Sequence, residues 1–163
     1  MEFEKFEHIL GKAISVVKKA IGKEFVNELF GSDFYYTYDF VSRDLYGTKY
    51  NSLTILTDEK DAIQSVTIHF QNIINRKFYE SFVKEYGEPN IIQVIDKREI
   101  ISESKLEDNN FSQHLTKSNI TLREGSFEEN PLFIIWRKET FQIKAFLRHK
   151  QNISEITFSI SKD

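Results

Sequence analysis

Four histidines, His8, His69, His114 and His149, are the side chains best suited to proton transfer or metal ligation near neutral pH, and their spacing supports neither. None stands three or four residues from another, so no helix face carries a His pair to a metal. A lone His in a strand, as at Ile68-His69-Phe70, reads as a surface or edge residue. Asp58, Glu59 and Asp61 crowd together and offer the hard oxygen ligands that calcium takes. The spacing of a calcium loop is missing, however, and an acid-rich hairpin turn is normally just solvated. No Gly-x-Gly-x-x-Gly or Walker-type loop is present to cradle a phosphate, and no nucleophile elbow presents a serine. The chain has 0 cysteines, which excludes thiolate catalysis, Cys-ligated zinc, disulfides and a lipid anchor through Cys. Carboxylates such as Glu99 or Glu155 would form an acid–base pair only if folding brought them together. The expectation is a protein with no enzymatic activity, metal or cofactor.

What rises above background is suited to contact rather than catalysis. Tyr35, Tyr36, Tyr38, Tyr46 and Tyr50 are five of the 7 tyrosines, and tyrosine offers a large, stiff contact area with a polar tip. On a strand, Phe34, Tyr36, Tyr38 and Phe40 share one face, which reads as core, while Tyr35, Thr37 and Asp39 share the other. The first candidate partner-binding surface is therefore Tyr35, Asp39, Tyr46 and Tyr50, although packing in a core is the commoner fate of strand aromatics. A second candidate lies between Ser102 and Asn130, where Glu103, Glu107, Asp108, Glu124, Glu128 and Glu129 outnumber Lys105, Lys117 and Arg123. An acidic segment suits a basic partner, such as a toxin or nuclease, by steering its approach.

With 163 residues, 40% hydrophobic and 29% charged, the chain can bury a core without staples. A net charge of −3 argues against nucleic-acid binding, which leaves a basic stripe in the sequence. The opening Met1-Glu2-Phe3-Glu4-Lys5 lacks the pattern of an export signal, and no stretch is long and apolar enough to span a bilayer. A cytoplasmic location is expected.

The elements that must position these residues follow from periodicity. Phe3, Phe6, Leu10, Ala13, Ile14, Val17, Ala20 and Ile21 predict one amphipathic helix, followed by a shorter helical piece from Lys23 to Phe30 stopped at Gly31. Strands are predicted over 34–41, 50–57 and 62–70, the last two joined as a hairpin through Asp58-Glu59-Lys60-Asp61. A helix over 75–86 is stopped by Gly87 and Pro89, and strands follow over 90–101, 132–137, 141–148 and 153–160. The stretch 102–130 reads as an acidic insertion with a short strand at Ile120-Thr121-Leu122.

The order helix, strands, helix, strands predicts an α+β class: two helix-plus-antiparallel-sheet units in tandem, residues 1–72 and 73–163, within one compact domain. The two units align through Ile63-Gln64-Ser65-Val66-Thr67-Ile68-His69-Phe70 and Ile153-Ser154-Glu155-Ile156-Thr157-Phe158-Ser159-Ile160. In the second unit Tyr86-Gly87-Glu88-Pro89, then Ile134-Ile135-Trp136, then Phe141 to Leu147 and Ile153 to Ile160, resemble the repeat shared by small outer-membrane-assembly lipoproteins and the secreted β-lactamase inhibitor proteins. The first unit keeps Leu29-Phe30-Gly31 and the hairpin but lacks the Pro and the Trp. The resemblance to the inhibitor proteins implies a curved sheet whose concave face grips a target enzyme. Without cysteines or an export signal, it translates to a cytoplasmic binder that neutralises a partner, of the immunity-protein or phage-encoded inhibitor type. The alternative expectation is a small-ligand-binding domain with an aromatic pocket that includes Trp136.

Overall fold

The computed structural model describes residues 5–21, 34–108 and 111–161, with side chains at all of these but 18–21, 38–41, 108 and 111. The predicted helical piece from Lys23 to Phe30 lies outside the described residues, as does Gly31. Eight strands form one antiparallel sheet: β1 (Phe34–Leu45), β2 (Thr48–Thr57), β3 (Ile63–Phe70), β4 (Ile91–Asp108), β5 (Phe111–Glu124), β6 (Phe133–Arg137), β7 (Phe141–Arg148) and β8 (Ile153–Ile160). Their order across the sheet is β1-β2-β3-β8-β7-β6-β4-β5. Two α-helices, α1 (Ile14–Ile21) and α2 (Arg76–Tyr86), are described beside it.

This overturns the expected class of two helix-plus-sheet units. The last strand of each predicted unit, β3 and β8, pairs with the other along its length, so both groups of strands merge into one sheet-dominated fold. The physical reason is that each meander would otherwise end in an open edge of unpaired N–H and C=O groups, and pairing the two edges satisfies both. The register is symmetric about Thr67↔Thr157, whose hydroxyls hydrogen-bond at 2.8 Å. The two aligned octets of the sequence thus meet as neighbouring strands.

One face of the sheet is dry. Ile55, Val66, Ile68, Ile134, Trp136, Ile143, Ala145, Ile156 and Phe158 alternate along their strands and are buried. Against them α2 lays Phe78 and Phe82, with Phe82 5.0 Å from the Trp136 ring and Phe78 5.4 Å from Phe70. Asn75 caps α2 by accepting from the Phe78 N–H, and Gly87, at φ 78°, ends it with an N–H donated to Val83. Trp136 donates its Nε1–H to the Gly87 carbonyl at 2.9 Å, tying the helix end to β6.

The single N-terminal helix expected from periodicity is interrupted. Phe6–Ile9 forms a 3-10 turn, Gly11 adopts a positive φ of 75°, and α1 begins only at Ile14. Gly11 donates to the Ile63 carbonyl and Ile63 donates to the Lys12 carbonyl, so a backbone bridge to β3 replaces helical bonds there. The break changes the stripe: of the predicted residues Phe6, Ile14 and Val17 are buried, Leu10 is half-buried and Ala13 exposed, and Ile9, outside the predicted stripe, is buried instead.

Candidate protein-binding surface

The stretch expected to be an acidic insertion is instead half of a long β-ribbon. β6 pairs with β4 only over Ile91–Gln93, whereas β5 pairs with β4 from Gln93↔Glu124 out to Asp108↔Phe111. Beyond its root, β4 and β5 therefore have only each other, forming an arm that at about 3.3 Å per residue reaches roughly 40 Å. Residues 95–107 are all exposed. Register shifts after Ile95 and after Ile100 place bulges in β4, the feature that gives an edge ribbon extra twist.

The arm is apolar where solvent should favour polar residues. Ile95, Ile100, Ile101, Leu106, Leu115 and Ile120 are exposed, Ile100 at 60% and Leu106 at 59%; elsewhere among the described residues only Val16, Tyr36 and Leu56 are large hydrophobics left so open. Cross-strand pairing sets the faces: Ile95 with Leu122, Arg98 with Ile120 and Ile100 with Ser118 on one, Ser104 with Leu115 and Leu106 with Gln113 on the other. Six exposed apolar side chains on one ribbon make the arm a candidate contact surface, since a two-stranded ribbon has no interior of its own to bury them in.

The root of the arm is clamped. Arg123 donates to Glu129 at 2.7 Å and lies 3.5 Å from Asp96, and Glu129 also accepts from the Ser126 N–H, which holds its carboxyl below the usual range. Phe127 stacks on Tyr79 of α2 at 4.3 Å, and Arg76 of α2 pairs with Glu128. The rigid sheet and α2 therefore hold the base of the ribbon while its outer half stands in solvent.

The expected site residues are dispersed by this arrangement. Glu103 and Glu107 are exposed on the arm, and Asp108 ends β4 with its side chain outside the description. Glu107 pairs with Lys105, while Glu128 and Glu129 pair with Arg76 and Arg123, so much of the acidity is compensated locally. Glu124 is exposed at the root. Of the tyrosine surface, Tyr35 and Tyr50 are buried, which corrects their assignment to the outer face. Tyr35 lies opposite Ile55 and Thr37 opposite Leu53; cross-strand partners point the same way, and β2 buries Leu53 and Ile55, so β1 must turn Tyr35 inward and leave Tyr36 38% exposed. Tyr46 caps the β1–β2 turn at φ 49° and packs edge-on against Phe78 at 5.5 Å and Phe82 at 6.0 Å. The Asp39 side chain lies outside the description.

The second face of the sheet carries a row of polar contacts. Thr54 Oγ1 lies 2.7 Å from His69 Nε2, His69 Nδ1 lies 3.3 Å from Glu155 Oε1, and Arg148 donates to the same oxygen at 2.9 Å. The order hydroxyl, imidazole, carboxylate is that of an acyl-transfer site; here Thr54 sits mid-strand between two ladder partners, Tyr36 and Thr67. The row works as a clamp across β2, β3, β8 and β7. Of the two readings of His69, surface or edge, the edge is ruled out because its strand is paired on both sides, while the side chain stays partly exposed on the sheet's surface.

Acids in the β2–β3 turn likewise serve structure: Asp58 accepts from the N–H groups of Lys60 and Ala62 and from Gln64. Among the described residues no cluster of His, Asp and Glu is arranged to hold a metal ion. Trp136, expected to line an aromatic pocket, is 1% exposed and belongs to the core. The sequence signals for the arm were present but weak: β-branched Thr116, Ile120 and Thr121. No helix among the described residues is long and apolar enough to cross a membrane. No family model, curated protein or solved structure matches this chain.

Proposed function

We propose that this chain is a non-enzymatic protein-binding module that neutralises a partner by laying the β4–β5 arm against it. The observation that carries the reading is the concentration of exposed apolar side chains on that arm. Charges of both signs alternate with them, Lys97, Arg98, Glu99, Glu103, Lys105, Glu107 and Lys117, a pattern that suits a mixed protein surface better than a polyanion. A neutralising role accords with the likeness of the repeat to inhibitor proteins, and a bound toxin or enzyme is the kind of partner it implies. The test is affinity capture from the source cells with the full chain beside Leu106→Glu and Leu115→Glu. One partner retained by the wild type and lost by both variants is expected; equal capture by all three overturns the arm as the binding surface.

A further inference from the structure

At the root of the arm, where its inner face meets the second face of the sheet, lies a cleft of about 430 Å³. The volume falls within the range of small-molecule sites. Its floor is apolar: Phe133 and Phe146 stack with ring centroids 5.0 Å apart on β6 and β7, and Ile95 and Ile120 of the arm form the facing wall. Its rim is cationic, with Arg98 on the arm and Arg148 and Lys150 at the end of β7, beside His149, and no carboxylate among the residues that line it.

Two of those cations, Arg98 and Lys150, are not spent elsewhere. Arg98 and Lys150 have no ion-pair partner among the described residues, and both are exposed. Arg148 shares Glu155 with His69, but its Nε is buried without a hydrogen-bond partner, an orphan donor whose cost a nearby negative charge would offset. His149 is fixed in place by a 2.9 Å contact between its Nε2 and the Pro131 carbonyl. Lys144, outside the lining, and Arg148 sit over the Phe133 and Phe146 rings at 4.2 and 5.6 Å, while Glu155 beside Arg148 offsets one of these charges.

We infer that this cleft is a binding site for an amphipathic anion: an apolar body, aliphatic or aromatic, that lies on Phe133, Phe146, Ile95 and Ile120 and carries one carboxylate or comparable anionic group to Arg98 and Lys150. The apolar floor and the uncompensated rim are complementary to the two halves of such a molecule. Neither half of the site explains the other without a ligand of that kind. The site is separate from the outer arm and stands whether or not the arm binds a protein.

The probes are three amphiphiles with straight tails of nine or ten carbons and different heads, decanoate, decanol and decyltrimethylammonium, each titrated below its micellar or solubility limit against the full chain and followed by amide chemical shifts. Decanoate is expected to bind saturably and about tenfold or more tighter than decanol, since one charge-assisted contact is worth that factor. The shifts should centre on residues 95–98, 133, 146 and 148–151. Arg98→Gln with Lys150→Gln should lower decanoate affinity about tenfold and leave decanol unchanged, and Ile120→Glu should abolish binding with the amide spectrum otherwise preserved. Equal affinity for the three probes, shifts centred elsewhere, decanoate affinity untouched by the double variant, or no saturable decanoate binding overturns the proposal.

Discussion

Gly125 ends the arm where there is no room for a side chain: a Cβ there would lie 2.7 and 2.9 Å from the two methyl carbons of Val94. Val94 is buried and branched, so it cannot swing aside. Gly125→Ala should cost about 1–3 kcal/mol in urea unfolding, with much of the loss recovered by adding Val94→Ala. A second residue-scale expectation concerns Tyr86. Burial, then the charge of Glu7 and a 2.9 Å hydrogen bond to its carboxylate, push this phenol well above its ordinary value. The unfolded chain therefore loses the proton first as pH rises, so the contribution to stability is whole below about pH 10 and lost above it. Urea midpoints taken across that range should fall more steeply for the wild type than for Tyr86→Phe. At this scale the sequence was legible in kind but not in direction. Tyr35 and Tyr36 are equally plausible as inward residues until the partner strand is known, and the buried Leu53 and Ile55 opposite β1 decide it.

Helix α2 and the strands β2, β3 and β6 to β8 were readable from periodicity because each buries one continuous stripe that no distant contact overrides. Of the arm only its inner pieces, 90–101 and 120–122, were readable as strand; the rest was not, since a ribbon with both faces wet needs no alternation, and its composition resembles that of a loop. The same lack of burial predicts its dynamics. Amide hydrogens of residues 98–120 should exchange through local opening, orders of magnitude faster than those of β3 and β8, which are paired on both sides. It also predicts tolerance: Leu106→Lys and Leu115→Lys should each change unfolding free energy by less than about 0.5 kcal/mol, because neither leaves a cavity or an unpaired buried group. Protection of the outer arm equal to that of β3 and β8 in the isolated chain would mean that it is already covered, by a second copy or by the sheet itself.

For the molecule as a whole, the β3–β8 seam is what turns two groups of strands into one structure. The two octets are alike in the sequence, but likeness alone does not say whether two similar units stand apart or share an edge. Edge pairing settles that through backbone hydrogen bonds that carry no side-chain signature. The seam implies that the chain unfolds as one unit. Trp136 fluorescence, which reports on β6, should trace the same urea transition as far-UV circular dichroism, which reports on every strand. The central claim is that the outer arm meets a protein partner, and the most direct measurement places a photoactivatable cross-linking residue at Ile100, Leu106 or Leu115, with Lys12 as the position away from the arm, in the source cells. The account predicts one shared protein adduct from the three arm positions and none from Lys12; adducts at Lys12 of equal yield, or none from the arm, would contradict it.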